Sequence, residues 1–289
     1  AIIRTREEGF AYRVDSTATA GFIENSATTP QKLVALPDSQ GRISLEQLGV
    51  VVETLAESGA DNTTVLATIS TRFADFTGTL TCGPGFVRTE GTFEVPRHAS
   101  LVCDNTVFDA EGSTGTFEIA VVHKIGADPT QIANLSSSTV GAGDGGNDST
   151  LDFTAAHGLS VGDTLLLYNP NDFSYSGYRP TYREGEFCKV VEVPSTTSVL
   201  LNRPLYGSHN SSQTEVYHCP DMATGCFEGF TAVAPGPGPN GVIKGWQVSF
   251  GEGVSFTRTA SRNSDNASSS VLHCYLCQGD LMDEHQWSN

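Results

Sequence analysis

Between residues 85 and 109 the chain reads "GFVRTEGTFEVPRHASLVCDNTVFD", a run of short apolar strands with no helix-length segment between them. Apolar and polar positions alternate in places, Phe93 and Val95 against Thr92 and Glu94. Gly91, Pro96, Asp104-Asn105 and Gly112 mark turns, and "GTFEIAVVHKI" then continues the pattern. No hairpin-type Asn-Gly or Asp-Gly joins these strands, so a sandwich or a parallel β-solenoid fits. The preceding "ADNTTVLATISTRF" predicts a helix capped by Asp61 or Asn62, with Val65, Leu66, Ile69 and Phe73 on one face. A solenoid leaves an apolar end that a cap must cover, and this amphipathic segment is the right size for it.

Before that helix, "ISLEQLGVVVETLAES" has Ser44 and Gln47 at capping-box spacing and a stripe of Leu45, Leu48, Val51, Val52 and Leu55. Its three consecutive valines suit a strand equally well, and both readings stand. Residues 1–42 lack periodicity and read as an extended leader, a stalk or tail-docking segment. Residues 43–135 then hold the capping helix and first coils. "SSSTVGAGDGGNDST" opens a polar hinge at 136, and an inserted small β module runs to 216. Its strands are "TLLLYN", "EFCKVVEVP" and "SVLLNRPLY", and the loop between the first two carries Phe173, Tyr175, Tyr178 and Tyr182. From 217 to 289 the coil pattern returns. Phe227-Glu-Gly-Phe230, Ile243-Lys-Gly-Trp246 and Leu272-His-Cys-Tyr275 share one scheme and are expected to stack as successive turns.

Composition narrows the function classes. Net charge is −17, which repels phosphate backbones and anionic membranes, so nucleic-acid binding is excluded. No apolar run approaches the roughly 20 residues of a membrane span. The first residues lack both an initiator Met and a signal-peptide core, as in a processed product or a fragment. The seven cysteines are an odd number, and a chain of 289 residues builds a core without staples. They read as packed thiols of a chain made in a reducing compartment. A zinc site from Cys219, Cys226, Cys274 and Cys277 has the wrong spacing, as has a calcium loop from Asp144, Asn147, Asp148 and Asp152. No cofactor or metal is expected. "GAGDGG" lacks the ending of a phosphate loop, and neither HExxH nor GxSxG occurs.

Two stretches resemble a known family. "VVETLAESGADNTTVLATIS" followed by "GFVRTEGTFEVP" resembles the start of the pectate-lyase-like right-handed parallel β-helices of bacteriophage tailspikes, with Val52, Leu55, Ala60, Asp61, Asn62 and Thr63 at the motif positions. "HGLSVGDTLLLYN…YREGEFCKVVEVPSTTSVLLNRPLY" is similar to the β insertion of such proteins, on His157, Gly158, Gly162, Asp163, Tyr182, Gly185, Glu186, Pro204, Leu205 and Tyr206. The resemblance implies a mainly β fold: a right-handed parallel β-helix with an N-terminal capping helix and an inserted small β module. It also implies a virion protein of the phage tail, synthesised in the host cytoplasm. Its implied partners are two further copies in a homotrimer, tail or baseplate proteins at the leader, and host surface polysaccharide.

Relatives of that kind either cleave the glycan, as hydrolases or lyases, or only bind it, and the resemblance does not decide between these. A structural tail adaptor and a secreted polysaccharide lyase are the competing readings. Glycoside hydrolysis needs two carboxylates across the scissile bond. The candidates are Asp280, Asp283 and Glu284 beside His285, with Trp287, Tyr175 and Tyr178 as sugar platforms. Only about three coils follow the β module, so the natural chain is expected to continue past Asn289 and to carry its cleavage site there.

Overall fold

The computed structural model describes residues 2–4, 10–15, 17–18, 22–24, 32–54, 60–117, 120–139, 149–170, 184–203, 205, 209, 211–235, 244–263, 274–275, 281–283 and 286–288. The fold is mainly β, with one α-helix and one 3-10 turn among the described residues. It divides into two compact units, residues 1–126 with 222–289 and residues 127–221.

The first unit is built on parallel ladders. Arg42–Ser44, Thr79–Cys82, Ser100–Asp109, Cys226–Ala234, Ser255–Thr257 and Leu281–Asp283 are hydrogen-bonded neighbours in that order. Every pairing in this path is parallel. Parallel register places like positions directly over one another. Ile43, Leu80, Leu101, Phe227, Phe256 and Met282 form one column, and the first five are buried. The long strands Ser100–Asp109 and Cys226–Ala234 each carry two partners in succession. Their second halves pair with Gly85–Arg88 and with Ala260–Asn263. A second parallel sheet runs Phe93–Glu94, Ala120–Ile125, Lys244–Ser249, Cys274–Tyr275.

Where the two halves of each long strand meet, the chain needs a left-handed residue. Asn105 (φ 56°) and Gly229 (φ 72°) supply it within the two long strands, and Arg258 (φ 49°) supplies it between Ser255–Thr257 and Ala260–Asn263. Gly229 has no alternative, because a Cβ there would lie 2.1 Å from the Cys103 carbonyl oxygen.

Aromatic rings fill the space between the ladders. Phe93 stacks on Phe108, Phe108 meets Phe230 edge-on at 5.6 Å, and Phe227 touches Phe230, Trp246 and Phe256. Trp246 and Phe256 stack at 4.8 Å. Removing one such buried ring costs about 3–5 kcal/mol. The expected stacking of Ile243-Lys-Gly-Trp246 over Phe227-Glu-Gly-Phe230 is not what forms. Phe227 stands over Leu101 and Phe256, while the Trp246 strand pairs with Ala120–Ile125 in the other sheet. The shared scheme reflects two sheets with the same alternation, not one repeated rung.

The helix spans Thr63–Arg72 and buries Leu66 and Ile69, with Phe73 buried just beyond it. Asp61 accepts the Thr63 backbone N–H at 2.9 Å. Asn62 does something else: its carboxamide is almost fully buried and binds backbone on three sides. It takes the Val51 N–H at 2.7 Å and donates to the carbonyls of Val51, Ala60 and Arg88. The capping box does not form. Ser44 Oγ accepts from the Glu46 N–H, and the Gln47 amide leaves to donate to Ala11 and Leu36 carbonyls. The segment is a strand, Arg42–Ser44, then one 3-10 turn, Glu46–Leu48, closed by Gly49 at φ 97°. The leader contributes four short antiparallel strands in the order Ile2–Arg4, Ala11–Val14, Lys32–Ala35, Phe22–Glu24. The Tyr12 hydroxyl ties them down by donating to the Gln47 carbonyl at 2.6 Å.

The second unit is an antiparallel seven-stranded arrangement, ordered Thr130–Gln131, Glu215–Cys219, Thr164–Asn169, Glu184–Ser195, Ser198–Leu201, Thr150–Phe153, Leu135–Thr139. The strand Glu184–Ser195 pairs with Thr164–Asn169 through its first half and with Ser198–Leu201 through its second, with register shifts between. Leu151, Leu165, Leu167, Cys188, Val190, Val199, Leu201 and Val216 make its own core.

Asn62→Ala removes the buried carboxamide's bonds to the Val51 N–H and to the Val51, Ala60 and Arg88 carbonyls, of which the last keeps the backbone N–H of residue 62. We expect a loss of about 3 kcal/mol, read as a lower urea midpoint at unchanged m-value.

Candidate functional site

The described residues of the second unit's sequence motif are scaffolding, and Tyr182, Pro204 and Tyr206 lie outside the described residues. His157 Nδ1 accepts the Leu159 N–H at 2.9 Å, which makes Nε2 the protonated nitrogen facing the Ser195 carbonyl at 3.1 Å. Gly158 (φ 70°) and Gly162 (φ 97°) allow the turn that follows, and Asp163 accepts the Ser160 N–H. Glu186 is buried against His209 at 2.7 Å, with Arg203 3.8 Å away on its other oxygen. Leu205 donates its N–H to Ser149 Oγ and is buried. These residues hold strands and turns together; none of them points to chemistry.

Of the sequence candidates, Asp280, Glu284, His285, Tyr175 and Tyr178 lie outside the described residues. The backbone of Asp283 and Trp287 is described. Asp283 pairs with Thr257, which pairs with Glu228, so all three occupy one column of the ladder. Thr81, Val102, Glu228 and Thr257 of that column are half-exposed, unlike the Leu101–Phe227–Phe256 column beside it. The Glu228 carboxylate is met by the Arg258 guanidinium at 2.6 Å. Trp287 pairs with Ser261, in the column Val87, Phe108, Ala232, Ser261, whose members are all buried. The two candidates therefore stand in different columns, one partly open to solvent and one closed in its preceding rungs. Sequence reasoning passed over Glu228 because its relation to Asp283 is a matter of register.

A cleft of about 670 Å³ lies among Phe10, Leu36, Asp38, Arg42, Gln47 and Cys82. Its Asp38 carboxylate is already engaged by the N–H groups of Gln40 and Arg42 and by Arg42 Nε, which hold it below the usual carboxylate range. Glu46 beside it accepts the Gly83 N–H. No acid in this cleft is arranged as a proton donor.

Of the described thiols, Cys226 is half-exposed and four are sealed. Cys82, Cys103, Cys188 and Cys219 are buried, and burial pushes Cys82 and Cys188 up to about 12. They are inert packing groups. Lys124 and His123 are buried in the first unit. Lys124 is inaccessible, with Nζ donating to the Ala99 carbonyl and, at 2.7 Å, to that of Thr224, and with the Phe227 ring 5.5 Å away. Burial brings it down to about 7. His123 meets Ser249 Oγ at 3.0 Å, and burial, then the Lys244 charge, brings it down to about 4.

Comparison with known proteins bears on this arrangement. Residues 127–218 match the family model described as tailspike protein-like, Ig-like domain. The chain superposes on the tailspike gp61 of Pseudomonas phage phi297 with a TM-score of 0.60 at 16% identity, covering 86% of this chain and 49% of that one. This is the fold of a phage tailspike. The tailspike gp49 of Pseudomonas phage LKA1 gives 0.52 at 20% identity, over 84% and 46% of the two chains. The gp54 tailspike of Acinetobacter baumannii bacteriophage AP22, solved in complex with A. baumannii capsular saccharide, gives 0.50 at 18% identity, over 86% and 49%. The chain thus spans about half the length of these tailspikes. No curated protein matches it in sequence.

Lys124 and His123 each contribute to the pH response of the fold. Both have folded-state values below their unfolded ones, so the unfolded chain binds more protons between the two and stability rises with pH there. We expect stability to fall as pH drops from 6.5 towards 4 through His123, and to climb between about 7 and 9 through Lys124, above which the buried thiols oppose it. Thermal melts of wild type and His123→Gln across pH 4–7 check the first; the variant's slope should be the shallower.

Proposed function

We propose that the chain is the part of a phage tailspike that attaches the virion to polysaccharide on the bacterial surface, and that it does so as a homotrimer. In this reading the parallel ladders wind into a right-handed β-helix capped by Thr63–Arg72, and the leader docks to tail or baseplate proteins. One observation carries it: a tailspike Ig-like module, residues 127–218, is inserted into a parallel-stranded frame, between the rungs Ser100–Asp109 and Cys226–Ala234. The saccharide-bound AP22 tailspike, similar in fold, supports a glycan as the target.

A depolymerase reading is favoured by the Glu228–Thr257–Asp283 column. Two rungs separate the acids, about 9–10 Å between backbones at the usual strand spacing. That suits the roughly 6.5–9.5 Å between carboxylates in inverting glycosidases, where water enters between acid and base. Glu228, met by the Arg258 guanidinium, and Asp283 would be the acid–base pair.

Light scattering of the purified chain should give three times its 30.6 kDa mass. Capsular polysaccharide of the host should retain the protein, and retention of none from any susceptible strain would overturn the attachment reading. If the column is catalytic, released reducing ends should fall at least 100-fold in Glu228→Gln while retention persists. Retention without release, in wild type and variant alike, leaves a binding tailspike.

A further inference from the structure

On the sheet face opposite the core of the second unit, Thr164, Leu166 and Cys219 are buried while Tyr168, Glu215 and Tyr217 are half-exposed. Along Thr164–Asn169 and Glu215–Cys219, Leu165, Leu167 and Val216 turn into the core, and the alternate positions turn the other way. On that opposite face Tyr217 stands across from Leu166 and, on its other side, from Gln131. Tyr168 stands across from Glu215 and Gly185. The Tyr168 and Tyr217 rings lie 6.5 Å apart at 69°. Both are half-exposed.

Resting on the polysaccharide reading above, we propose that this face of the Ig-like module is a second saccharide subsite, taking an uncharged pyranose unit of the host glycan. A pyranose ring offers an apolar C–H face and a rim of hydroxyls, and the face presents partners for both. Tyr168 and Tyr217 supply the ring surface. Gly185, beside Tyr168, keeps the approach low, since it adds no side chain over the sheet. Glu215 fixes the polar rim: its Oε2 accepts the Tyr217 hydroxyl at 2.5 Å. Among the described residues this is its one hydrogen bond, so its other oxygen is available to a sugar hydroxyl. Gln131 is exposed at the end of the same row and offers both a donor and an acceptor. The phenolic proton is committed to Glu215, a bond that raises Tyr217 to about 12, so the hydroxyl oxygen is left to accept from a sugar hydroxyl. A carboxylate in the site and a chain charge of −17 disfavour an acidic sugar, which is why the unit is assigned as uncharged.

The test uses the full chain labelled with 3-fluorotyrosine, and methyl glucoside, methyl galactoside and methyl N-acetylglucosaminide as probes. We expect at least one glycoside to shift the fluorine signals of Tyr168 and Tyr217. Tyr217→Ala should weaken that binding at least tenfold, and Tyr217→Phe, which keeps the ring, should weaken it less. Circular dichroism confirms that each variant is folded. No shift with any of the three, or equal affinity in folded Tyr217→Ala, overturns the subsite. The outcome is separable from the attachment reading: polysaccharide retention that survives Tyr217→Ala without any glycoside shift sinks this face alone. Glycoside shifts in a chain that no capsule retains would sustain the face and remove the attachment.

Discussion

Parallel pairing in register is the constraint from which the rest of the first unit follows. When strands run the same way and each residue lies over its counterpart, one position on a strand commits the same position on every other. The column from Ile43 through Leu80, Leu101 and Phe227 to Phe256 has to be apolar throughout, because each member roofs the one before it. The neighbouring column from Ser44 through Thr81 and Glu228 to Thr257 is released from that demand and can carry polar groups. The left-handed positions obey the same logic. The left-handed residue at Asn105 and Gly229 sets where each long strand changes partner, Arg258 supplies it between Ser255–Thr257 and Ala260–Asn263, and glycine is indispensable only where the Cys103 carbonyl crowds it.

The elements with a local signature were legible in the sequence. The apolar stripe of Leu66, Ile69 and Phe73 and the cap at Asp61 placed the helix within a few residues. The His-Gly…Gly-Asp and Gly-Glu stretches pointed to the inserted module, and the structure explains why those residue types are needed: a neutral imidazole bridging two backbone groups, glycines with positive φ, and a buried carboxylate facing His209. Alternation at Phe93 and Val95 marked strands that are indeed buried on that face.

What stayed hidden depends on pairing at long range. Phe227 lies over Leu101, across the whole inserted unit, and no local pattern announces that partner. The resemblance of Phe227-Glu-Gly-Phe230 to Ile243-Lys-Gly-Trp246 suggested a neighbour that belongs to another sheet. Asn62 looked like a helix cap and is instead a rivet between three backbone segments, a role set by what surrounds it. Likewise Asp283 joins the column of Glu228 only once the register is known, and the tyrosine face of the module emerges only from the order of its strands.

The way the second unit begins and ends has a consequence for how such proteins diversify. Its first residue, Ala127, donates its N–H to the carbonyl of its last, Asp221, at 2.7 Å. A domain whose two termini are hydrogen-bonded to each other asks of its host only a pair of adjacent chain ends. Recombination could therefore excise, exchange or lengthen it as a cassette, without shifting any rung by a single position. The cassette can then vary in sequence and length while the stacked frame keeps its own alignment.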